Sequence, residues 1–162
     1  MTPATHETAS PPATTEFADL LASPAQRRLD ALHGALAQLP AAPLHYTHRF
    51  TPGLYLRQLD LLKNTLVISQ IHRTEHPLIL LAGEISVWTE ETGVKRLRAP
   101  QILITKPGTR RAIFHHTDTT VLTCHATDKT DPQAIEQEIC YDHQPGRVVP
   151  ELDPNIIQEL TL

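Results

Sequence analysis

In the stretch from Leu66 to Glu84, LVISQIHRTEHPLILLAGE, two histidines and a carboxylate stand between two apolar runs, and a glycine closes the second. Imidazole titrates near neutrality and ligates metals when neutral. His72 and His76 are therefore candidates for metal ligation, for general base chemistry, or for hydrogen-bonded pocket positions without a metal. Glu75 lies between them and could act as a ligand or general base, although a lone carboxylate in a polar connection is more often solvated. Should a metal bind, neutral imidazoles favour Zn, Fe, Ni, Cu or Mn over Mg and Ca, which prefer oxygen. Such a centre would serve as a Lewis acid or a water activator. His6, His33, His45, His48 and His143 have flanks typical of surface or linker positions and read as solvated.

The elements that must position these groups follow from the pattern around them. Leu66, Ile68, Gln70 and His72 alternate with Val67, Ser69 and Ile71, so a strand is expected to deliver His72 at its end. Pro77 to Ala82 is a continuous apolar run stopped by Gly83, which suits a buried strand and a turn, with His76 at its mouth. Further short strands are expected at Tyr55–Leu61, Glu84–Thr89, Val94–Arg98, Gln101–Thr105, Arg110–Phe114 and Thr119–Ala126, separated by turn signals such as Gly93 and Pro107-Gly108. About eight short strands make the fold class all-β, a sandwich or small barrel.

Flanking segments differ in kind. Residues 1–22, opening with the small, polar, Pro-containing MTPATHETASPPATTE, read as a disordered arm. Ser23-Pro24 starts a helix through Leu39 with Gln26 at the capping-box position, and Leu29, Leu32, Leu36 and Leu39 form its apolar stripe. A linker then runs to residue 54. The barrel with its C-terminal helix, begun by Asp131-Pro132, spans residues 55–140. The tail, 141–162, is expected either to dock its apolar end or to reach a neighbouring copy as a swapped arm.

Composition narrows the class of function. A chain of 162 residues with 40% hydrophobic residues suits one domain with a core, filled by aliphatics because aromatics make up only 4%. The formal charge of -4 argues against general nucleic-acid binding, which calls for a basic excess. Cys124 and Cys140 are far apart and read as reduced thiols of a cytoplasmic protein, with Cys124 in the core. No run is long enough to span a bilayer, and the N-terminus lacks the basic start and apolar centre of a secretion signal. Phosphate-binding glycine loops, nucleophile elbows and helical HExxH motifs are absent.

The order of features resembles the cupin family. In that family a jelly-roll barrel holds a divalent metal with a His-x-His motif, a following Glu and a strand ending in Gly, then a second motif, Pro-x-Gly-x-x-His. Aligned on Gly83, IHRTEHPLILLAGE resembles the first motif, and Glu84-Ile85-Ser86-Val87 continues it. His72 then takes the place of the second family histidine, His76 that of the glutamate, and Gln70 that of the first histidine. KPGTRRAIFHH resembles the second motif, but Arg111 occupies the slot of the third histidine, and a guanidinium cannot ligate a metal. His115, His116 and His125 on or near the following strands could restore a ligand.

The pattern is also similar to small cupin-like proteins of bacteriophages, and the resemblance covers Tyr55 to Cys140. It implies a cupin-like double-stranded β-helix. Its metal set would be His72, His76 and His125, holding Zn, Fe, Mn or Ni, and its ligand-binding residues would be Arg111, Gln70, His115 and His116. If Arg111 points inward as the family histidine does, its charge needs a partner, either Glu75 or the carboxylate or phosphate of a small anionic ligand. The competing reading is that Arg110 and Arg111 blunt an edge strand. The leading expectation is thus a barrel that binds a divalent metal, a small anion or both, with Glu75 as candidate catalytic residue. The alternative is a non-catalytic interaction protein that oligomerises, with a homodimer as the expected state.

Overall fold

Burial alternates with period two along His76–Ala82 and Thr119–Ala126, whose inward side chains meet those of a facing sheet. The computed structural model describes residues 14–43 and 45–153. Helices α1 (Thr14–Leu21) and α2 (Pro24–Ala35) precede the strands β1 (Tyr46–Thr51), β2 (Leu54–Leu61), β3 (Thr65–Ile68), β4 (His76–Ala82), β5 (Glu84–Thr89) and β6 (Gly93–Arg98). There follow β7 (Gln101–Thr105), β8 (Ala112–His115), β9 (Thr119–Ala126), helix α3 (Pro132–Ile139) and β10 (Arg147–Val149). Two antiparallel five-stranded sheets result, in the orders β1-β2-β9-β4-β7 and β10-β3-β8-β5-β6. Between them lie Val67, Leu78, Leu80, Ile85, Val87, Ile113, Val121 and Val148. None of the described helices is long and apolar enough to cross a membrane.

Helix α2 starts where the capping signal indicates, with the Ser23 hydroxyl accepting from the Gln26 amide and Pro24 in the first turn. The α-helix ends at Ala35, and a short 3-10 turn carries Leu36 onward. Ala25, Leu29, Leu32 and Leu36 pack on the outward side chains of the second sheet, Leu66, Ile68, Trp88, Ala112 and Phe114. Each fully buried leucine contributes about 1.5–3 kcal/mol. Arg110 fastens the same helix, its side chain wholly buried and 2.5 Å from Asp30.

Several expectations need correction. The arm expected over 1–22 contains α1, because Phe17 stacks on Tyr141 at 4.0 Å between ring centroids and Leu20 lies against the Gly108 turn; residues 1–13 lie outside the described residues. The linker expected to residue 54 contains β1, whose register with β2 runs from Tyr46↔Leu59 to Thr51↔Leu54. Arg110 and Arg111 do not blunt an edge. They enter β8, which lies between β3 and β5, and both are buried. Cys124 is half-exposed on the outward side of β9 rather than in the core, and both cysteines are free.

Two of these differences shape the barrel's end. The strand expected through His72 stops at Ile68. Leu66 and Ile68 pack under α2, and Ser69 to Ile71 leave the ladder before His72 makes an isolated bridge to Cys140. In the tail, β10 pairs with β3 and buries Val148 and Val149. Residues 154–162 lie outside the described residues.

Candidate functional site

His72 is held through its backbone from two sides. Its carbonyl accepts from the Gly108 amide at 2.8 Å and its amide donates to the Thr109 carbonyl at 3.3 Å, which ties it to the Lys106-Pro107-Gly108 turn. On either side of it, the Tyr141 amide donates to the Ile71 carbonyl and the Arg73 amide to the Ile139 carbonyl, so the end of α3 closes over this segment. His76 opens β4 opposite Thr105 of β7, and His125 lies on β9 opposite Tyr55 of β2.

These elements gather three imidazoles. Ring centroids of His72 and His76 are 4.5 Å apart, those of His76 and His125 4.4 Å, and those of His72 and His125 6.3 Å with the planes nearly parallel. All three are buried. The convergence of His72 and His76 across one connection, read from their spacing, is present, and β9 adds His125 from a distant part of the chain. His115, from β8, is also buried and bonds Thr119 Oγ1 through Nδ1 at 2.6 Å.

Burial dominates their titration. It pushes His76 down to about 4, where Arg111 and Arg57 add to the effect and the hydrogen bond to the Thr74 carbonyl opposes it. It likewise pushes His115 down to about 4 and His125 to about 2, and it holds His72 well below its ordinary 6.5. At neutral pH the four rings are uncharged.

A cavity of about 90 Å³ opens beside them, lined by His72, His76, His115, Gln70, Arg57 and Arg111 together with Tyr46, Ser69, Thr123 and aliphatic side chains. Arg111 is 7% exposed. Its amide donates to Ser69 Oγ at 3.0 Å, and Nη1 donates to Thr105 Oγ1 at 2.7 Å. Burial lowers its pKa, but a guanidinium starts so high that it stays charged. Among the described residues no aspartate or glutamate lines the cavity and no ion pair involves Arg111. Four buried nitrogens in or beside the cavity have no hydrogen-bond partner among the described residues: Arg111 Nε, His72 Nε2, His115 Nε2 and His125 Nδ1. Buried polar atoms are usually paired, so these four nitrogens have hydrogen-bonding capacity that the described protein groups leave unused.

The remaining candidates separate. Gln70 lines the cavity. Glu75 is exposed in the connection before β4 and does not line it, because the chain turns it outward between two inward histidines. His116 lies outside the barrel, bonded to Ser86 at 2.8 Å and edge-on to Phe114, since it alternates with His115. Neither can act in the pocket from there. His33 and His143 are half-buried around Asp30 and Arg110 rather than solvated. Arg57 and Tyr46 are cavity residues that the sequence reading passed over. Period two was the available signal for Arg57, since Tyr55, Leu59 and Leu61 on the same face of LYLRQLDL are inward.

The histidine donors are of a type that suits a transition metal, but their placement does not. Among the described residues no group of three or more His, Cys, Asp or Glu side chains is arranged to hold a metal ion.

No protein-family model matches this sequence, and no curated protein matches it. Solved structures match it in fold. Ectoine synthase from P. lautus aligns at 8% identity over 70% of this chain and 83% of its own, with a TM-score of 0.51. KdgF from Halomonas sp. aligns at 13% identity over 60% and 94%, with a TM-score of 0.47. A cupin-2 domain containing protein from Shewanella frigidimarina aligns at 10% identity over 63% and 98%, with a TM-score of 0.42. The likeness is one of fold: the chain forms a cupin-type double-stranded β-helix.

Proposed function

We propose that the barrel binds a small anionic molecule, with Arg111 as its anchor. One observation carries this reading: a buried guanidinium with an unpartnered Nε faces a cavity that has no carboxylate on its wall. A charge removed from water without a counter-charge is costly, and a bound carboxylate or phosphate would supply the missing acceptors in fork geometry. The uncharged His72, His76 and His115 then serve as neutral hydrogen-bonding groups around the anion, and His72 or His76 is the nearest candidate for moving a proton. A metal reading of the three imidazoles comes second, because among the described residues no group of three or more such donors is arranged to hold an ion. Calorimetric titration with acetate, phosphate and nucleotides tests the proposal. Arg111→Gln should weaken the anion that binds by about tenfold or more, the worth of a charge-assisted hydrogen bond. Anions that all fail to bind, or that bind equally well to the variant, would remove the pocket's assigned role.

A second reading rests on the opposite side of the first sheet. Ile102 and Ile104 of β7 are 67% and 57% exposed, and Leu81 of β4 is 48% exposed on the same outward face, next to Ile79 and Leu122. A two-fold axis through such a row would bury it against the same row of a second copy. Light scattering on the chain and on Ile102→Lys with Ile104→Lys decides the matter. The homodimer reading requires a dimer that the double substitution converts to a folded monomer.

A further inference from the structure

The cavity holds a second guanidinium. Arg57 extends from the inward face of β2, and its Cζ lies 4.7 Å above the centre of the Tyr46 ring. That stacking orients a long side chain without neutralising it. Arg111 enters from β8 in the other sheet, so the two positive groups come from facing walls. Both stand close enough to His72 and His76 to oppose protonation of those rings. Among the described residues neither arginine has an ion pair, and the wall carries no acid. Ser69, Gln70 and Thr123 add neutral polar groups to the lining, and aliphatic side chains such as Leu59, Leu78, Ile113 and Val121 make up much of the remainder.

A compact anion held by one arginine would leave the other without a counter-charge. An anion charged at both ends with a short carbon spacer satisfies both and sets its spacer against the aliphatics. Size limits the spacer. A cavity of about 90 Å³ admits only a small molecule, so the spacer is short.

We infer, resting on the anion-binding reading above, that the ligand is a short dicarboxylate that spans the cavity, one end forked by Arg111 and the other held by Arg57. Arg57 thereby sets specificity, since it distinguishes a two-ended acid from its one-ended analogue.

Titration calorimetry on the full chain near neutral pH, with acetate, butyrate, malonate, succinate and inorganic phosphate, tests this. Malonate or succinate should bind about tenfold or more tightly than acetate and butyrate, as expected for one added charge-assisted contact. Arg57→Gln should erase that preference by lowering dicarboxylate affinity to the monocarboxylate level, and Arg57→Lys should restore part of it. Arg111→Gln should weaken every carboxylate. Circular dichroism on each variant establishes that it is folded, and the comparison between Arg57→Lys and Arg57→Gln separates recognition from packing. Monocarboxylates that bind through Arg111 as tightly as dicarboxylates, or phosphate that binds tightest and needs both arginines, would overturn the two-ended ligand and leave the anion pocket standing. Failure of every anion to bind would remove both.

Discussion

Arg111 is held in the barrel wall at a cost that no carboxylate in the cavity offsets. Replacing it with an apolar side chain of similar length should therefore make the ligand-free protein more stable. Urea unfolding of Arg111→Met is expected to show a gain of about 1–2 kcal/mol, the size seen when uncompensated or poorly compensated buried charge gives way to packing. A loss of stability would mean that the guanidinium is already satisfied. The buried histidines give a pH dependence of definite sign. Their folded pKa lies below the unfolded 6.5, so the unfolded chain binds protons that the folded chain refuses. Stability is thus full above about pH 6.5 and is lost as the pH falls toward about 4, where His76 and His115 titrate when folded. Each of the two contributes on the order of 3 kcal/mol across that window. Unfolding measured at several pH values should show the decline, and His115→Gln should make it shallower. Of the site's residues, His72, His76, Arg111 and Gln70 stood out in the sequence, because they sit in a motif-like order. Arg57 did not, because period two puts it on the inward face of LYLRQLDL but an arginine there reads by type as a solvated side chain. Its role emerges only when β2 is laid against β8.

At the scale of elements, turns decide where strands end. Gly83 joins β4 to β5 with φ +91, and a Cβ there would meet the Asp118 carbonyl oxygen at 2.4 Å and Thr119 Cγ2 at 2.6 Å. Gly53 also has a positive φ, +75, but open space around it. Gly53→Ala is expected to cost about 1–2 kcal/mol, the left-handed penalty alone. Gly83→Ala should cost clearly more, about 3 kcal/mol or above, because backbone must also move. Equal midpoints in denaturant for the two variants would contradict the packing described for this turn. The eight strands read from the sequence lie where short apolar runs and turn residues put them, since both signals are local. β1 was missed because YTHRFT is mostly exposed and gives no apolar alternation, so its pairing with β2 alone makes it a strand. The parity of β3 failed for the converse reason. A break at Ser69 to Ile71 is invisible to a periodicity that both sides obey.

For the molecule as a whole, the tail completes the second sheet. β10 covers the free side of β3, and the Leu152 amide donates to the Asn64 carbonyl at 2.8 Å just beyond it. Truncation after Gly146 should uncover Leu66, Val67 and Ile68 at a new edge. The expected outcome is a lower melting temperature and faster proteolysis, with no change of mass on light scattering where the strand pairs with β3 of its own chain. A change of oligomeric state on truncation would point instead to exchange between copies.

By itself the sequence determined the all-β class, most strand positions, the caps of α2 and α3, and the meeting of His72 with His76. Each of these depends on neighbours a few residues apart. Tertiary structure alone decided that Glu75 and His116 face away, that Arg110 is spent on anchoring α2, and that Arg57 shares a cavity with Arg111. Those outcomes depend on how far-separated strands are laid face to face, and the charge balance of a closed space is a property of its whole wall.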